Sequence, residues 1–365
     1  MDVRIGKWSP ELANIKLVYL LCLLGKVKTI FNDNEKLNIL RVTNVYAKRF
    51  FTGSFILLLF LLIKNPIYAE DNIYEQRMAL FKKTEALTQI PWYYFAAMDN
   101  YERNKKQHAN DEKIISIEFS PELWYGLGNA SMINDELLID FFHGQGRDGN
   151  GDQKADPNNP EDVLYTIANY MLQYGQTKED IKIALWNFYN RDLSVQTIMN
   201  TAKVFQTYQE INLTDRDFPV DTSYNYSYRS TWGDRRGFGG LRIHEGTDIF
   251  ADYGTPVKST TYGVIEMMGW NLYGGWRIGI RDIYNIYHYY AHMSGYKEDI
   301  QVGKVVKPGD VLGSVGSTGY GPPGTSGKFP PHLHYGMYKD NGHSEWSFDP
   351  YPYLKKWERM AKQKE

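Results

Sequence analysis

Five polar residues in the second half of the chain could together form a metal-dependent active site. They are His244 and Asp248 in the run HEGTD, His292 in YYAHM, and His332 and His334 in PHLHY. Two histidines and one carboxylate would supply three protein ligands and leave a fourth tetrahedral position for water, which is the arrangement of catalytic zinc sites. The two remaining histidines could then transfer protons. These residue types predict zinc-assisted hydrolysis.

The spacing of the histidines favours a site built on β-strands. Residues i and i+2 of a strand face the same side, so His332 and His334 can point into one groove. By the same alternation, His288 should share a face with His292 and support it. The only cysteine, Cys22, is remote in sequence. No HExxH helix is present, so we do not expect the glutamate base of that class of metalloprotease.

The wider sequence around these residues resembles a known family. The matching region runs from about Pro219 to Tyr353 and includes GTPV, GYKEDIQVGKVVKPGDVLGSVGSTG and PPHLHYGMY. It is similar to the lysostaphin-type zinc metallopeptidases, which cut bacterial cell-wall peptides. The signature of that family is HxxxD, a later lone histidine, and HxH. The resemblance therefore implies a peptidase that acts on the stem peptides of peptidoglycan.

The resemblance also implies a role for each of the five polar residues. The zinc ligands would be His244, Asp248 and His334. The catalytic pair would be His292 and His332. One of the pair would accept the proton of the attacking water, and the other would stabilise the oxyanion or protonate the leaving amine. The sequence leaves open which of the two does which.

Residues 224–355 are predicted to form an all-β peptidase domain. Runs such as TPVKSTTYGVIEMMGW and WRIGIRDIYNIYHYYAHM are rich in β-branched and aromatic residues, and turns with glycine and proline separate them. This pattern predicts an antiparallel sheet or an open sandwich. Four aromatic residues would either line the approach for substrate or pack in the sheet, namely Tyr224, Tyr226, Tyr228 and Trp232. Residues 214–223 are predicted to be a linker, and residues 356–365 a C-terminal tail.

Residues 70–213 are predicted to form a mostly helical domain, because apolar residues recur there at intervals of three and four. Pro160, followed by two acidic residues, is predicted to begin a helix. The region resembles the lysozyme-like domains of lytic transglycosylases in IPWYYFAAMDNYERN and ALWNFYN. This resemblance implies that Glu102 is a general acid acting on glycan. Arg103 would oppose that role by favouring the ionised carboxylate, so a glycan-binding or scaffolding domain is the alternative.

An acidic loop in the helical region has some features of a calcium site. Calcium loops carry oxygen ligands at positions 1, 3, 5 and 9, which in DGNGDQKADPNN are Asp148, Asn150, Asp152 and Asp156. Gln153 and Asn159 replace the glycine and glutamate expected at positions 6 and 12. The loop predicts either a calcium ion in a weak or structural role or a solvated acidic turn.

The first 69 residues are predicted to direct the chain out of the cytoplasm. KRFFTGSFILLLFLLIKNPIYAED has the basic, apolar and polar parts of an export signal. Its apolar run at 55–63 is short for a membrane span, which needs about 20 residues. We expect a signal peptide ending near Ala69, with a retained membrane anchor as the alternative. The segment before about residue 42 would be a cytoplasmic tail or would precede the true start.

Composition narrows the range of functions. A length of 365 residues suggests two domains, and a net charge of −2 argues against a nucleic-acid-binding protein. A single cysteine rules out an intramolecular disulfide framework. We expect an exported protein of the cell wall or spore envelope, with membrane contact only through its N-terminal segment.

The arrangement of the regions suggests a more specific role. An export signal, a transglycosylase-like helical region and this zinc domain together resemble the endopeptidases of sporulating bacilli that cut between L-alanine and D-glutamate. That resemblance implies maturation of the spore cortex. Two alternatives remain, a non-catalytic peptidoglycan-binding or assembly factor and a bifunctional hydrolase that also cleaves glycan through Glu102.

Overall fold

Within the described residues, helices form the first part and antiparallel strands most of the second. The computed structural model describes residues 67–105, 113–237 and 240–363. The helices in these ranges are α1 (Ile67–Thr88), α2 (Trp92–Lys105), α3 (Pro121–Tyr125), α4 (Glu136–Phe141), α5 (Pro160–Leu172), α6 (Lys178–Tyr189), α7 (Asp192–Tyr208) and α8 (Tyr351–Lys362). The predicted helical region is confirmed, and its lysozyme-like character stays a prediction.

Local side-chain chemistry explains where two of the helices begin. Helix α5 begins at Pro160, as predicted, because the side chain of Asn159 accepts a hydrogen bond from the backbone N–H of Glu161. Helix α6 follows Thr177, whose side chain and that of Asp180 each bond the other residue's backbone N–H. This reciprocal capping box satisfies two amides that would otherwise lack partners.

Ten strands form one antiparallel sheet, which confirms the predicted class of the second region. Its neighbours run in the order β1-β4-β11-β8-β7-β6-β9, while β10 pairs with β5 and β8, and β12 pairs with β11. A separate hairpin joins β2 and β3. The strands are β1 (Tyr226–Tyr228), β2 (Arg235–Arg236), β3 (Arg242–Ile243), β4 (Thr247–Ala251), β5 (Pro256–Lys258), β6 (Gly263–Asn271), β7 (Gly275–Asp282), β8 (Ile286–Tyr296), β9 (Val305–Val306), β10 (Val311–Val315), β11 (His332–Asp340) and β12 (Glu345–Phe348).

Alternation along β11 separates the core from the opposite face of the sheet. Leu333, Tyr335 and Met337 are buried in the core of the β region. Each such side chain stabilises the fold by about 1.5–3 kcal/mol through burial of apolar area. The residues that alternate with them, which include His332 and His334, therefore point to the other face.

The helical region packs directly on the sheet. Residues 70–365 form a single unit, in which α7 lies against β6. Arg191, just before α7, donates two hydrogen bonds of 2.8 Å to the carboxylate of Asp340 at the end of β11. Asp340 is fully buried. The helices therefore support the strand that carries His332 and His334.

The predicted linker is part of the β core. Phe218 and Val220, both within residues 214–223, are fully buried. Val220 also forms a β-bridge with Val257. Pro219 suggested a linker, but it lies between two apolar residues that this core buries.

The segment 356–365, predicted as a tail, contains much of helix α8. Leu354, Trp357 and Ala361 are buried against the sheet. These residues are three and four apart, which is the spacing of an amphipathic helix. Charged residues between them obscured the pattern in the sequence.

Glu358 joins α8 to the first strand of the sheet. Its carboxylate accepts hydrogen bonds from the hydroxyls of Tyr226 (2.7 Å) and Tyr228 (2.6 Å). Lys355 and Lys362 also lie within 3.1 and 2.8 Å of its oxygens. Of the two interpretations of Tyr226 and Tyr228, packing in the fold is the one that the contacts favour.

No helix within the described residues is long and apolar enough to cross a membrane. The predicted export signal or anchor, and the tail before it, lie almost wholly in residues 1–66, outside the described residues. Export therefore stays a prediction from the sequence.

Replacing Glu358 with glutamine should destabilise the protein by about 1–3 kcal/mol, because two tyrosine hydroxyls lose a charged acceptor. Burial alone would raise the pKa of Glu358, but hydrogen bonds from Lys362, Tyr228 and Tyr226 outweigh it and lower the pKa from 4.5 to about 2. This stabilisation is present above pH 4.5 and is lost as the pH falls towards 2. Urea unfolding of both proteins across this range measures the difference, with Lys356→Gln as the control. A difference that does not shrink in acid would contradict the assignment.

Candidate active site

The pairing of β4 with β11 brings two predicted ligands together. His334 lies directly opposite Asp248 in this antiparallel register, and His334 Nδ1 is 3.1 Å from Asp248 Oδ1. His244 approaches from the turn before β4. Its Nε2 lies 3.0 Å from Asp248 Oδ1 and 2.8 Å from His334 Nδ1. Three ligand atoms of the types that bind zinc therefore converge on one point.

These three residues fit a single metal ion. Atoms placed tetrahedrally about 2.0–2.1 Å from zinc would be about 3.3 Å apart, close to the observed separations. His244 Nδ1 donates to the carbonyl oxygen of Thr231 at 2.8 Å, which leaves the lone pair of Nε2 directed at the other two atoms. Only this group of histidine, cysteine or acidic residues has metal-binding geometry within the described residues.

Arg236 holds the second oxygen of Asp248. Its Nη2 lies 2.6 Å from Asp248 Oδ2, so Oδ1 is left to face the histidines. Burial would raise the pKa of Asp248, but hydrogen bonds with His244 and His334 outweigh it and hold that pKa far below its usual range. The carboxylate is therefore charged and fixed in orientation before any ion binds.

A β-bulge sets the direction of His292. Between the pairs Ile278–Tyr290 and Trp276–Met293, strand β8 has one residue more than β7. His292 lies in this bulge with φ of 62°, which is uncommon for a residue other than glycine. Bulges re-aim side chains. Here the bulge turns His292 towards the face that carries His334.

His292 and His332 are held in the same tautomer. His292 Nδ1 donates to the carbonyl oxygen of Thr318 at 2.7 Å, and His332 Nδ1 donates to that of Pro330 at 2.9 Å. In each neutral ring, Nε2 therefore keeps its lone pair. Burial, with His332 and His334 nearby, lowers the pKa of His292 to about 3, and burial also lowers the pKa of His332. Both rings can accept a proton at Nε2.

His288 lies on the opposite face of the sheet, in the core. Its Nε2 is 3.0 Å from Asp282 Oδ2, and its Nδ1 is 2.6 Å from the hydroxyl of Tyr335. The prediction that His288 and His292 share a face is wrong. It assumed unbroken alternation, and the bulge shifts the alternation by one residue.

The five polar residues line one cleft of about 630 Å³. This volume is typical of ligand sites. Tyr289 and Tyr338 form part of its floor, and Tyr320 and Phe329 belong to the loop on one side. The ring of His292 packs edge-on against Phe329, with centroids 4.7 Å apart. The cleft is therefore an open groove with aromatic walls, suited to an extended chain.

Comparison with known proteins agrees with this geometry. Residues 242–346, which include all five polar residues, match the sequence profile of peptidase family M23. The L-Ala--D-Glu endopeptidase of Bacillus subtilis (strain 168) is 58% identical over 299 residues, which cover 80% of this chain and 92% of that protein. The chain belongs to peptidase family M23.

Other M23-like relatives match a smaller part of the chain. Lysostaphin of Staphylococcus simulans is 37% identical over 115 residues, covering 31% of this chain and 22% of lysostaphin. Among solved structures, the catalytic domain of lysostaphin from Staphylococcus simulans is 34% identical and covers 36% of this chain and 93% of that chain, with a TM-score of 0.29.

Glu102 lies apart from the M23 cleft. It is buried on α2, and its Oε2 pairs with Lys105 Nζ at 2.7 Å. Arg103, expected to influence Glu102, instead pairs with Asp99 at 3.0 Å. The carboxylate is buried and held in an ion pair, so it is not accessible to a glycan, and these contacts do not favour the general-acid role.

The predicted calcium residues also lie outside the M23 cleft, in the loop before α5. Backbone amides occupy much of their oxygen surface, since Asp148 accepts from Gly151 and Gln153. Asp162, which is buried on α5, also accepts a hydrogen bond from the backbone N–H of Asp156 in the loop. Nothing in the comparisons supports calcium, so the site at Asp148, Asn150, Asp152 and Asp156 stays a prediction.

Two supporting residues of the M23 site were not apparent from the sequence. Arg236 lies twelve positions before Asp248, and no motif connects them. Thr231 supplies a backbone carbonyl oxygen to His244, which any residue type could do, and its hydroxyl accepts a hydrogen bond of 3.1 Å from the backbone N–H of Asp248. A signal for either would require knowledge of how the chain folds back before β4.

We expect His334→Ala to abolish metal binding while the fold is kept, because a three-ligand site loses one of its ligands. The stoichiometry should fall from about one ion per chain to near zero, as measured by elemental analysis after dialysis. His343, exposed and outside the cleft, gives the control variant His343→Ala. Unchanged metal content in His334→Ala would place the site elsewhere.

The variant Arg236→Gln should keep the metal site but weaken it. Loss of a partner that orients a ligand typically reduces metal affinity by about 10–100-fold. Competition with a chromophoric chelator measures this change. The neighbouring Arg235 is exposed, so Arg235→Gln is a matched control. Equal affinities for the two variants would show that Arg236 does not orient Asp248.

Proposed function

We propose that this chain is a zinc metalloendopeptidase that hydrolyses the bond between L-alanine and D-glutamate in peptidoglycan stem peptides. The convergence of His244, Asp248 and His334, with two further histidines beside them, carries the assignment of the reaction. The identity with a relative named L-Ala--D-Glu endopeptidase supports the choice of bond. The open cleft supports an extended polymeric substrate.

The donor set suits zinc and leaves one tetrahedral position free. Zinc bound there would lower the pKa of a water molecule towards about 7 and polarise the scissile carbonyl. His292 and His332 supply the proton transfers at Nε2. One ring accepts a proton from the water at Nε2, and the other, when it carries a proton at Nε2, stabilises the developing oxyanion or protonates the leaving amine. The carbonyls that hold their Nδ1 atoms keep both rings oriented.

The proposal includes action outside the cytoplasm. Its support is the basic, apolar and polar succession before residue 70, together with the cell-wall target implied by the relative's name. We infer export to the wall or spore envelope and a role in cortex maturation. A retained N-terminal anchor on the outer face of the membrane is compatible with the same activity.

The two alternative functions have less support. A non-catalytic binding factor would not need three candidate metal ligands with two further histidines beside them in the cleft. A second, glycan-cleaving activity would depend on Glu102, whose pairing with Lys105 opposes it. We therefore propose that the helical region, with boundaries near residues 70 and 213, supports the peptidase.

The decisive experiment is mass spectrometry of muropeptides after digestion of vegetative and spore peptidoglycan by the zinc-loaded protein. We expect L-alanine to become the free carboxyl terminus on muramic acid and D-glutamate to become a new amino terminus. His292→Ala and His332→Ala should each reduce the rate by at least about 100-fold. His343→Ala and Glu102→Gln should leave peptide cleavage unchanged.

Each other outcome has a distinct meaning. Cleavage at a cross-link would keep the peptidase and discard the proposed bond. Full activity after metal chelation would contradict the zinc mechanism. Shorter glycan chains that depend on Glu102 would establish the bifunctional alternative, and binding without any product would favour the assembly factor.

A further inference from the structure

Two arginines in the cleft have no acidic partner within the described residues. Arg242 and Arg277 both line the cleft, and neither forms an ion pair with a residue of the described ranges. Their guanidinium carbons lie 5.5 Å from the ring centre of Tyr273 and 6.0 Å from that of Tyr289, respectively. Arg277 Nε is buried without a hydrogen-bond partner in the same part of the chain. Such guanidinium groups are suited to bind an anion.

The other charged groups of the cleft leave this positive charge uncompensated. Asp248 forms an ion pair with Arg236, and Glu345 Oε1 lies 2.5 Å from Arg281 Nη1. The remaining carboxylate of the cleft is Glu245, which is exposed to solvent. The described lining therefore carries two unpaired cations against one solvated anion, before the charge of any metal ion is counted.

Arg277 lies close to the reacting groups. It lies on β7 opposite the bulge that carries His292, and neighbouring strands are about 4.8 Å apart. Tyr289 contacts both sides of the site, since its ring centre is 5.9 Å from that of His334 and 6.0 Å from the guanidinium carbon of Arg277. An anion held by Arg277 would therefore be near the cleaved bond.

We propose that Arg277, assisted by Arg242, binds a free carboxylate on the substrate residue whose amine leaves when the bond is cleaved. This inference rests on the proposed function. A glutamyl residue has two carboxyl groups, and amide linkage of one leaves the other free, a few bonds from the scissile nitrogen. Arginine binds carboxylates through two parallel hydrogen bonds, which adds directional selectivity to the attraction of charge.

The consequence is a specificity for acidic residues at this position. A site built around a charged group rejects a neutral analogue, because the partly buried guanidinium of Arg277 then lacks its partner. The carboxylate would bind Arg277 in both the ground state and the transition state. Its loss should therefore appear mainly as a higher KM.

The test compares two peptides, each N-acetylated and containing L-alanyl-D-glutamate. One keeps the free glutamyl carboxylate, and in the other this group is a carboxamide. We expect the wild-type protein to prefer the carboxylate by at least about tenfold in kcat/KM. Arg277→Gln should abolish the preference by slowing only the carboxylate peptide, and Arg277→Lys and Arg242→Gln should reduce it. The exposed Arg229, which pairs with Asp234 at 3.8 Å, gives the control Arg229→Gln.

Measuring each variant on both peptides isolates the proposed contact, because a substitution that acts indirectly would slow the cleavage of both peptides equally. If the wild-type protein cleaves the two peptides at equal rates, the carboxylate site is wrong and the proposed function still stands. The same conclusion follows if the preference for the carboxylate peptide survives in Arg277→Gln. Cleavage of neither peptide by the wild type would contradict the proposed function, and the carboxylate site with it. Metal content and urea unfolding of each variant separate loss of recognition from loss of structure, and Arg277→Lys keeps the test decisive if Arg277→Gln does not fold.

Discussion

The register between β4 and β11 is the constraint on which the rest of the site depends. A slip of one residue would turn every side chain of β11 to the other face. Leu333 and Tyr335 oppose such a slip, because both are fully buried and would become exposed. Burial of apolar residues on one face therefore fixes where His332 and His334 point on the other. The hydrophobic core thereby determines that His334 lies beside Asp248.

The position of His292 in the cleft depends on an interruption of the same regularity. Strict alternation along β8 would have placed His292 in the core with His288. The bulge opposite Arg277 adds one residue and turns His292 to the cleft. The bulge is held locally, since the backbone N–H of His292 donates to Gly274 and its Nδ1 donates to Thr318. One strand thus supplies a buried core histidine and a cleft histidine four positions apart.

The resemblance to a known family implied the residues of the site, local spacing placed two of them, and the remainder depends on contacts distant in sequence. HxH placed two histidines on one face because a strand has a two-residue period, and Pro160 correctly marked the start of α5. The bulge could not be predicted, because it is a mismatch between β7 and β8 and neither strand shows it alone. Arg236 was missed because its contact with Asp248 depends on how the chain folds back before β4. The segment after residue 355 was misjudged because its apolar stripe is narrow and interrupted by lysines.

The ion pair between Arg191 and Asp340 limits how this peptidase can evolve. Asp340 lies inside the segment that matches the family profile, and Arg191 lies outside it, in the helical region. Removal of the helical region would take both hydrogen bonds of Arg191 from Asp340 at the end of β11. The catalytic segment of this chain would therefore transfer to another protein by gene fusion only with a loss of stability, unless position 340 also changed.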